Sequence, residues 1–298
     1  MADENYKCTD YLGRTVIISE ARAKRPRQFE ISKPRKVVPP EKCYFCPGNE
    51  HMTPPETDRI PAEKSWFCRS FPNKFPAASP LWKEAYGHHE VIVETPDHEK
   101  RFSEIGEVQM QRFLLLLKRR VRALYKDKKV NYISVFKNEG LGAGASIEHS
   151  HTQLVALDFV PESIMEISRK QKEKEKYIKG AKKLLSNKHF FSCIPFCPRF
   201  HYETWIAPKK RLSCISKMNE KEIFSLSEIL LKTIDAVDRK NSYPSYNILY
   251  FFAPPKDRKM SMHIEILPRL STWAGFELAG SGYLNSVSPK NAHETLKQ

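Results

Sequence analysis

The hydrophobic and polar positions of the chain form short strand-like runs and two longer stretches of helical period. Short runs that are apolar throughout, or that alternate apolar and polar positions, predict strands. The predicted strands lie at residues 15–19, 90–94, 132–136, 149–157, 204–207, 246–252 and 261–267.

Each of the two helical stretches begins at a residue suited to an N-cap. Ser103 precedes a helix predicted to end near Lys126. Asn219, with Glu222 three residues later, resembles a capping box that opens a helix predicted to end near Asp238. The predicted apolar side of the first helix consists of Val108, Phe113, Leu116, Leu117, Val121 and Leu124.

The order strand, long helix, strand, loop and histidine-bearing strand occurs twice along the chain. Residues 132–136 match residues 246–250, and the run 149–153 then falls on the run 261–265. A repeat at this long period indicates an internal duplication in which the second copy kept one of two histidines.

The segment between the two copies is rich in lysine. The run from Arg169 to Lys183 has Glu173 and Glu175 interleaved and a single aromatic residue, Tyr177. It is typical of an exposed helix or linker and lacks the aromatic stacking platform of a single-strand nucleic-acid binder. We predict two domains at residues 1–165 and 185–298, with a linker at about 166–184.

Composition and charge indicate which kind of partner the protein binds and in which compartment it lies. The 298 residues are 40% hydrophobic, enough for a core, and carry a formal net charge of +15, which indicates anionic partners. No apolar run approaches the roughly 20 residues of a membrane span. The polar N-terminus predicts no signal peptide.

An odd number of cysteines predicts a reducing, cytoplasmic compartment, where metal binding or burial is favoured over disulfides. Cys193 and Cys197 are predicted to be buried apolar residues.

Candidate chemistry concentrates in the run His149-Ser150-His151-Thr152-Gln153. Alternate residues of a strand share a face, so two histidines and an amide are predicted to point the same way. Burying such groups without partners is unfavourable, which marks the run as a candidate site. A neutral imidazole can attack phosphorus and hold the transferred group as a reactive phosphoramidate.

A glycine-rich loop, residues 138–146, leads directly into that run. Its glycines permit close approach, and its backbone N–H groups could cradle a phosphate. Ser146 and Gln153 are suitably placed in sequence to hold a phosphate oxygen as charge moves.

Cys43 and Cys46 form a Cys-x-x-Cys pair. A redox pair and an accidental spacing are alternatives, but without a thioredoxin-like context a metal half-site is favoured. A zinc site needs two further ligands. Spacing alone does not choose among His51, His88, His89, His98, His149 and His151.

Several motifs, in this order, resemble the galactose-1-phosphate uridylyltransferase family. That family is a branch of the histidine-triad superfamily and also contains nucleoside-diphosphate-sugar phosphorylases. The motifs lie at residues 43–50, 95–98, 138–146, 149–153 and 263–268.

The resemblance implies an α+β fold of two tandem histidine-triad-like domains, each an antiparallel sheet with packed helices. It implies a ping-pong reaction in which His151 carries the nucleotidyl group. One structural Zn²⁺ site is implied at Cys43, Cys46, His98 and His149. Substrate and nucleotide contacts are implied at Asn73, Asn138, Gly144, Ser146 and Gln153.

Two departures from the family pattern bear on substrate and metal. The commonest form of the active-site motif has proline where this chain has Ser150, and the phosphorylase branch has serine there. Where some relatives place a His-x-His of a second metal site, this chain has Ser261-Met262-His263. We therefore expect no second metal.

Three functions follow as hypotheses. The first is a galactose-1-phosphate uridylyltransferase that converts UDP-glucose and galactose 1-phosphate to glucose 1-phosphate and UDP-galactose. The alternative is an ADP-sugar or dinucleoside-polyphosphate phosphorylase, and the second alternative is a non-catalytic, zinc-stabilised nucleic-acid-binding protein. The expected partners are a nucleoside-diphosphate sugar and a sugar 1-phosphate or inorganic phosphate, with no membrane or nucleic acid. A homodimer is expected by analogy with the family.

Overall fold

The computed structural model describes residues 5–24, 38–61, 63, 65–280 and 282–297. The strands are β1 (Tyr6–Thr9), β2 (Thr15–Ile18), β3 (Asp58–Ile60), β4 (Cys68–Pro72), β5 (Gly87–Val93), β6 (Tyr132–Glu139), β7 (His151–Leu157), β8 (Lys182–Ser186), β9 (Phe190–Ile194), β10 (Thr204–Pro208), β11 (Tyr246–Phe251), β12 (His263–Pro268) and β13 (Gly282–Asn285). The α-helices are α1 (Glu107–Leu124), α2 (Glu162–Arg169), α3 (Gln171–Lys179), α4 (Glu220–Lys240), α5 (Gly275–Gly280) and α6 (Pro289–Lys297).

Ten strands form one antiparallel sheet in the order β3-β4-β5-β7-β6-β11-β12-β10-β9-β8. At its centre β6 pairs with β11, and Asn138 lies opposite Asn247. The two copies inferred from the repeat are therefore joined edge to edge through these strands. A smaller sheet has the order β1-β2-β13, with β13 parallel to β2. The predicted α+β class is confirmed.

One face of the large sheet is covered by α1 and α4, which also pack on each other. Alternate strand residues such as Val135, Leu154 and Ile248 point to this face and form the main core with Phe113 and Leu230 of the helices. The core follows from the strand period of two and the helical period of 3.6. In the described part of the chain, no helix is long and apolar enough to cross a bilayer.

The first long helix begins later than predicted. It starts at Glu107, after Gly106, and Ser103 is not its N-cap. The Ser103 hydroxyl instead donates to Asp238 of α4 at 2.5 Å. Val108, which was predicted on the apolar side, is 60% exposed. Ser103 therefore makes a tertiary contact with α4 and does not cap α1.

The second long helix begins where predicted. Asn219 Oδ1 accepts from the backbone N–H of Glu222 at 3.0 Å, and the Glu222 carboxylate accepts from the backbone N–H of Asn219 at 2.9 Å. This reciprocal pair is a capping box. Helix α4 then runs past the predicted end, Asp238, to Lys240.

The opposite face of the large sheet is covered in two separate places. Residues Tyr11, Ile164 and Ile178 pack against Trp205 of β10 on the C-terminal half. A segment around Phe45 packs on β4 and β5 of the N-terminal half. Between β7 and β11 this face carries polar, partly exposed residues, namely Asn138, Gln153 and Asn247.

The segment predicted to be an exposed helix or linker consists of regular structure. Helices α2 and α3 and strand β8 fill it. The Lys174 side chain is fully buried, and its ammonium donates to the carbonyl oxygen of Ser261 at 2.7 Å. An exposed lysine-rich helix was therefore the wrong expectation for this residue, although most of its neighbours are exposed. The division into two domains stays a proposal.

The cysteine prediction needs one correction. Cys8 and Cys197 form a disulfide that links β1 to the segment after β9, 189 residues away in sequence. Cys197 is therefore not a free buried thiol. Sequence spacing cannot reveal a pair so far apart, because a disulfide requires the two Cα atoms to lie within about 7 Å in the folded chain. Cys193 is free and buried, as predicted.

Candidate active site and metal centre

His151 is the first residue of β7, in the middle of the large sheet. Its Nδ1 lies 2.9 Å from the carbonyl oxygen of His149, so Nδ1 carries the hydrogen and donates it. The lone pair is then on Nε2. Burial, followed by the charge of Lys137, lowers the pKa of His151 to about 4. The imidazole is therefore neutral near pH 7, which is the nucleophilic form.

A buried ion pair lies directly behind the strand that carries His151. Lys137 Nζ is 2.8 Å from Glu94 Oε2 and 3.1 Å from Glu139 Oε2. The same ammonium donates to the Ser150 hydroxyl at 2.9 Å and to the carbonyl oxygen of His151 at 3.2 Å. These bonds connect β6 and the residue after β5 to the backbone of His151, and so fix its position.

Ser150 is part of this buried network. Its hydroxyl donates to Glu94 and accepts from Lys137. Proline at this position would remove one partner from each of two buried charges, and an unsatisfied buried group costs about 1–3 kcal/mol or more. The Ser150 hydroxyl therefore provides a hydrogen bond to each charge of the ion pair, which proline could not do.

Gln153 shares the open face of β7 with His151. The neighbouring His89 accepts from the backbone N–H of Ala77 at its Nδ1, so its Nε2 carries the hydrogen and donates to Gln153 Oε1 at 3.0 Å. With its oxygen occupied, Gln153 presents its amide N–H₂ group as a donor. Asn73 lies beside the same ring, with Nδ2 3.2 Å from His89 Nε2.

Asn138 lies beside His151 because of the antiparallel register of β6 and β7. Its Oδ1 accepts from Asn247 Nδ2 at 2.8 Å, so its own N–H₂ group is the one it can offer to a ligand. Asn247 Nδ2 also donates to the carbonyl oxygen of Ala143, at 2.9 Å. Asn247 of the C-terminal half therefore holds both Asn138 and the glycine-rich loop.

The glycine-rich loop joins β6 to β7 at the end where His151 begins. Gly140 and Gly144 have φ of 78° and 85°, a region that disfavours other residues. A Cβ at Gly140 would also lie 2.5 Å from Ser245 Oγ. Gly144 and the exposed Ser146 are thus carried on a turn that only glycine permits.

Four cysteine and histidine residues meet beside His151. The ligand atoms of Cys43, Cys46, His98 and His149 all lie within 4.8 Å of one another. Cys46 Sγ is 3.1 Å from His98 Nδ1 and 3.6 Å from His149 Nδ1. A tetrahedral zinc ion with bonds of about 2.0–2.3 Å needs ligand atoms roughly 3.5 Å apart. The cluster could therefore hold a metal ion.

The protonation of the two histidines also fits a metal site. His98 Nε2 donates to the carbonyl oxygen of Val38 and His149 Nε2 to that of Thr95, both at 2.7 Å. Each Nδ1 therefore keeps its lone pair, directed at the thiols. Burial lowers the pKa of His149 to about 4, so this ring is neutral, as a ligand must be.

Residues 1–161 match the family model described as the N-terminal domain of galactose-1-phosphate uridyl transferase. The chain belongs to the galactose-1-phosphate uridylyltransferase family. Residues 85–298 also match a domain family of unknown function, DUF4921. The resemblance inferred from the ordered motifs is confirmed.

Named relatives in this family include two kinds of enzyme. ADP-glucose phosphorylase from Arabidopsis thaliana is 30% identical over 96% of this chain and 90% of that protein. A galactose-1-phosphate uridylyltransferase from Thermotoga maritima is 27% identical over 95% of this chain and 94% of that protein. The crystal structure of an ADP-glucose phosphorylase from Arabidopsis thaliana with bound ADP-glucose has a TM-score of 0.89, with 28% identity and 99% of both chains covered. The predicted class, a nucleotidyltransferase-like enzyme, is confirmed and is favoured over a non-catalytic nucleic-acid-binding protein.

One boundary prediction within the family motif is wrong. His149 was expected on the strand, but it precedes β7. Its ring lies with the thiols of Cys43 and Cys46, and the rings of His149 and His151 both contact Phe45 edge-on.

Several residues of the site were missed by sequence reasoning. Glu94 and Lys137 form the buried ion pair, and His89 and Asn247 position the predicted phosphate-contacting amides. A signal was present for Lys137, because it stands at a core position of an alternating strand where a charge needs a partner. Its main partner, Glu94, comes from the segment after β5, and the spacing did not specify that contact.

The histidine of the second copy lies in different surroundings. His263 Nε2 is 3.3 Å from Glu265 Oε1, and its Nδ1 is 3.5 Å from the ammonium of Lys174. The ring stacks on Phe251 with centroids 4.6 Å apart. His263 is thus a buried residue with both nitrogens engaged. That the chain binds no second metal stays a prediction.

Proposed function

We propose that this enzyme transfers a nucleotidyl group from a nucleoside-diphosphate sugar to phosphate through His151, as an ADP-sugar phosphorylase. The observation that carries the proposal is the state of His151. The imidazole is neutral, its Nδ1–H is held by the carbonyl of His149, and its Nε2 keeps the lone pair. That is the state a histidine nucleophile needs.

The reaction would proceed in two displacements. His151 Nε2 forms a bond to the α-phosphorus, while the bond from that phosphorus to the bridging oxygen breaks. The sugar 1-phosphate leaves with the electron pair. The imidazole becomes a cation whose Nδ1–H bond to the His149 carbonyl strengthens. An oxygen of the acceptor phosphate then attacks the same phosphorus, and the N–P bond returns its electrons to the ring.

The amides around His151 would hold the phosphate oxygens during both steps. Gln153 and Asn138 each have their carbonyl oxygen occupied by a neighbour, which leaves the N–H₂ group as the donor. Gly144 and Ser146 offer backbone and hydroxyl groups from the loop, and Asn73 would contact the nucleotide. Such donors stabilise charge in the transition state because they are already oriented.

The choice of substrate rests on two observations. The relative that is 30% identical is an ADP-glucose phosphorylase, and a structure of such an enzyme with bound ADP-glucose has the TM-score of 0.89. Ser150 fits the same branch. This reverses the order expected from sequence, where galactose-1-phosphate uridylyltransferase came first. The Thermotoga maritima relative keeps that activity as the second candidate.

We propose that the Cys43, Cys46, His98 and His149 group binds one structural Zn²⁺. Four protein ligands would complete the tetrahedral coordination of zinc. The ion would then stabilise the structure and leave no coordination position for a substrate. His149 links that cluster to the nucleophile, because its carbonyl oxygen orients the His151 ring. The site would thus brace the catalytic histidine.

The division into domains 1–165 and 185–298 is also a proposal. It is supported by the equivalent places of α1 and α4 on one face, and of β6 and β11 at the centre of the sheet. A homodimer and a cytoplasmic location remain predictions.

Mass spectrometry of the intact protein tests the function. Incubation with ADP-glucose is expected to add one adenylyl group, whereas UDP-glucose and diadenosine tetraphosphate are expected to add less or none. His151→Ala should form no adduct, and His51→Ala, which changes an exposed histidine, should load normally. Loading of the His151→Ala variant would refute the covalent mechanism. A uridylyl adduct in place of the adenylyl adduct would favour the uridylyltransferase.

A further inference from the structure

Arg269 follows β12 on the sheet face that carries His151. Its backbone N–H donates to the carbonyl oxygen of Ser245 at 2.7 Å and continues the pairing of β11 with β12. The residues on this face run from His151 through Asn138 to Asn247 on three adjacent strands. Strands are spaced by about 4.8 Å, so Asn247 is roughly 10 Å from His151 along the sheet. Arg269 lies beside Asn247, at the end of this row of residues.

The guanidinium of Arg269 is connected to the phosphate-facing residues through one amide. Arg269 Nη1 lies 3.4 Å from Asn247 Oδ1. Asn247 in turn donates to Asn138 and to the carbonyl oxygen of Ala143 in the glycine-rich loop. The cation therefore sits at the edge of the site and belongs to the C-terminal half of the chain.

Arg269 is half-buried and differs from the other buried or half-buried arginines named below because it lacks a carboxylate. Among the described residues, no carboxylate lies within ion-pair distance of it, and its Nε is buried without a hydrogen-bond partner. Burial lowers its pKa, and in the part of the chain that the structure describes no charged neighbour offsets this effect. By contrast, carboxylates face each of the following: Arg69 (Glu56), Arg101 (Asp238), Arg120 (Glu90) and Arg199 (Glu203 and Glu265).

Aromatic rings hold the guanidinium in place. Its central carbon lies 5.3 Å from the Phe200 ring centroid and 5.9 Å from that of Trp273. Phe200 and Trp273 are themselves stacked, with centroids 4.9 Å apart. Ring faces stabilise the cation and compensate for lost water without consuming its N–H donors. A fixed cation with unused donors is suited to bind an anion.

We propose that Arg269 binds the phosphate of the acceptor, either inorganic phosphate or a phosphate monoester. The inference rests on the proposed function and deepens it. The acceptor phosphate attacks from the position that the leaving sugar 1-phosphate vacates, so Arg269 contacts the same phosphate in both half-reactions. A nucleoside monophosphate lacks that phosphate and makes no use of Arg269.

The test measures discharge of the loaded enzyme. Protein loaded with ADP-glucose and freed of excess substrate is mixed with inorganic phosphate, glucose 1-phosphate or galactose 1-phosphate, and loss of the adduct is timed. Arg269→Gln should raise the half-saturating acceptor concentration about 10- to 100-fold, the range for a hydrogen bond to a charged group. Arg269→Lys should fall between it and the wild type. Affinity for AMP should be unchanged.

A matched control is Arg239→Gln, which removes an exposed arginine from α4. It should leave acceptor saturation at the wild-type value. An unchanged acceptor dependence in Arg269→Gln would overturn the proposal, and so would an equal weakening of AMP and acceptor. Weakening for inorganic phosphate assigns the subsite to phosphorolysis, and weakening for the sugar 1-phosphates assigns it to transfer. Either supports a phosphate subsite.

The role of Arg269 can be tested even if the proposed nucleotidyl transfer fails. If the wild type forms no adduct, nucleotidyl transfer through His151 fails. Calorimetric titration of the wild type and Arg269→Gln with inorganic phosphate then decides the role of Arg269. Tenfold or greater loss of affinity in the variant supports the subsite, and equal affinities overturn it.

Discussion

The ion pair behind His151 gives a quantitative prediction for Lys137→Met. The side chains of Lys137 and Glu94 are both fully buried, and Glu139 is nearly so. Methionine has a similar length but no charge, so the substitution leaves Glu94 without its cation, while Glu139 keeps only Arg101, at 4.0 Å. Removing one partner of a buried pair destabilises a protein by about 3–5 kcal/mol.

That loss is large compared with the total stability. Single domains unfold with a free energy of about 5–15 kcal/mol. Desolvation already raises the pKa of Glu94 despite the presence of Lys137. Without the ammonium, Glu94 would take up a proton or unfold the strands around it. We therefore expect the lower part of the range, about 3 kcal/mol, if the carboxylate is neutralised by protonation.

The assay is equilibrium unfolding in urea at pH 7, followed by circular dichroism on metal-loaded protein. Lys137→Met should lower the midpoint, and the double variant Lys137→Met with Glu94→Gln should recover much of the loss because no unpaired charge remains at Glu94. Lys128→Met changes an exposed lysine and should shift the free energy by less than about 0.5 kcal/mol. A loss below about 1 kcal/mol in Lys137→Met would refute the reasoning.

Two further predictions concern the metal cluster and the buried lysine of α3. Cys43→Ser should reduce zinc content, measured by elemental analysis, and lower the urea midpoint with it; a stable, metal-free variant would mean that the pair is not structural. Burial lowers the pKa of Lys174 from 10.5 to about 7, so between these values the unfolded chain binds more protons and the free energy of unfolding rises with pH. Lys174→Met lacks this dependence, so its free energy of unfolding relative to that of the wild type should fall by about 2 kcal/mol from pH 7 to pH 9. A constant difference in urea unfolding across that range would contradict the shifted pKa.

Much of the framework was predictable because it depends on local pattern. The capping box at Asn219 and the strand at β11 follow from spacing and period. The repeat placed the two central strands in equivalent positions. The candidate metal-binding group was identified from a resemblance to ordered motifs, since spacing alone did not choose among six histidines.

The residues that sequence reasoning missed act across strands. His89 orients Gln153, and Asn247 orients Asn138, through pairs separated by 64 and 109 residues. No local rule specifies such contacts, because they depend on the sheet order. The Cys8–Cys197 disulfide was missed for the same reason. The burial of Lys174 was missed for a related reason. The composition of a lysine-rich run indicates the average exposure of the segment and not the position of one side chain.

The two histidines of the repeat differ in how their ring nitrogens are engaged. His151 and His263 occupy matching positions, and two residues later the first copy has Gln153 and the second has Glu265. The neutral amide of Gln153 bonds to His89 and leaves His151 Nε2 with its lone pair. The carboxylate of Glu265 bonds instead to His263 Nε2 and to Arg199, and Lys174 closes the other side of the ring. A ring with both nitrogens engaged cannot attack phosphorus, so the exchange of an amide for a carboxylate would confine the proposed reaction through a histidine to the N-terminal copy.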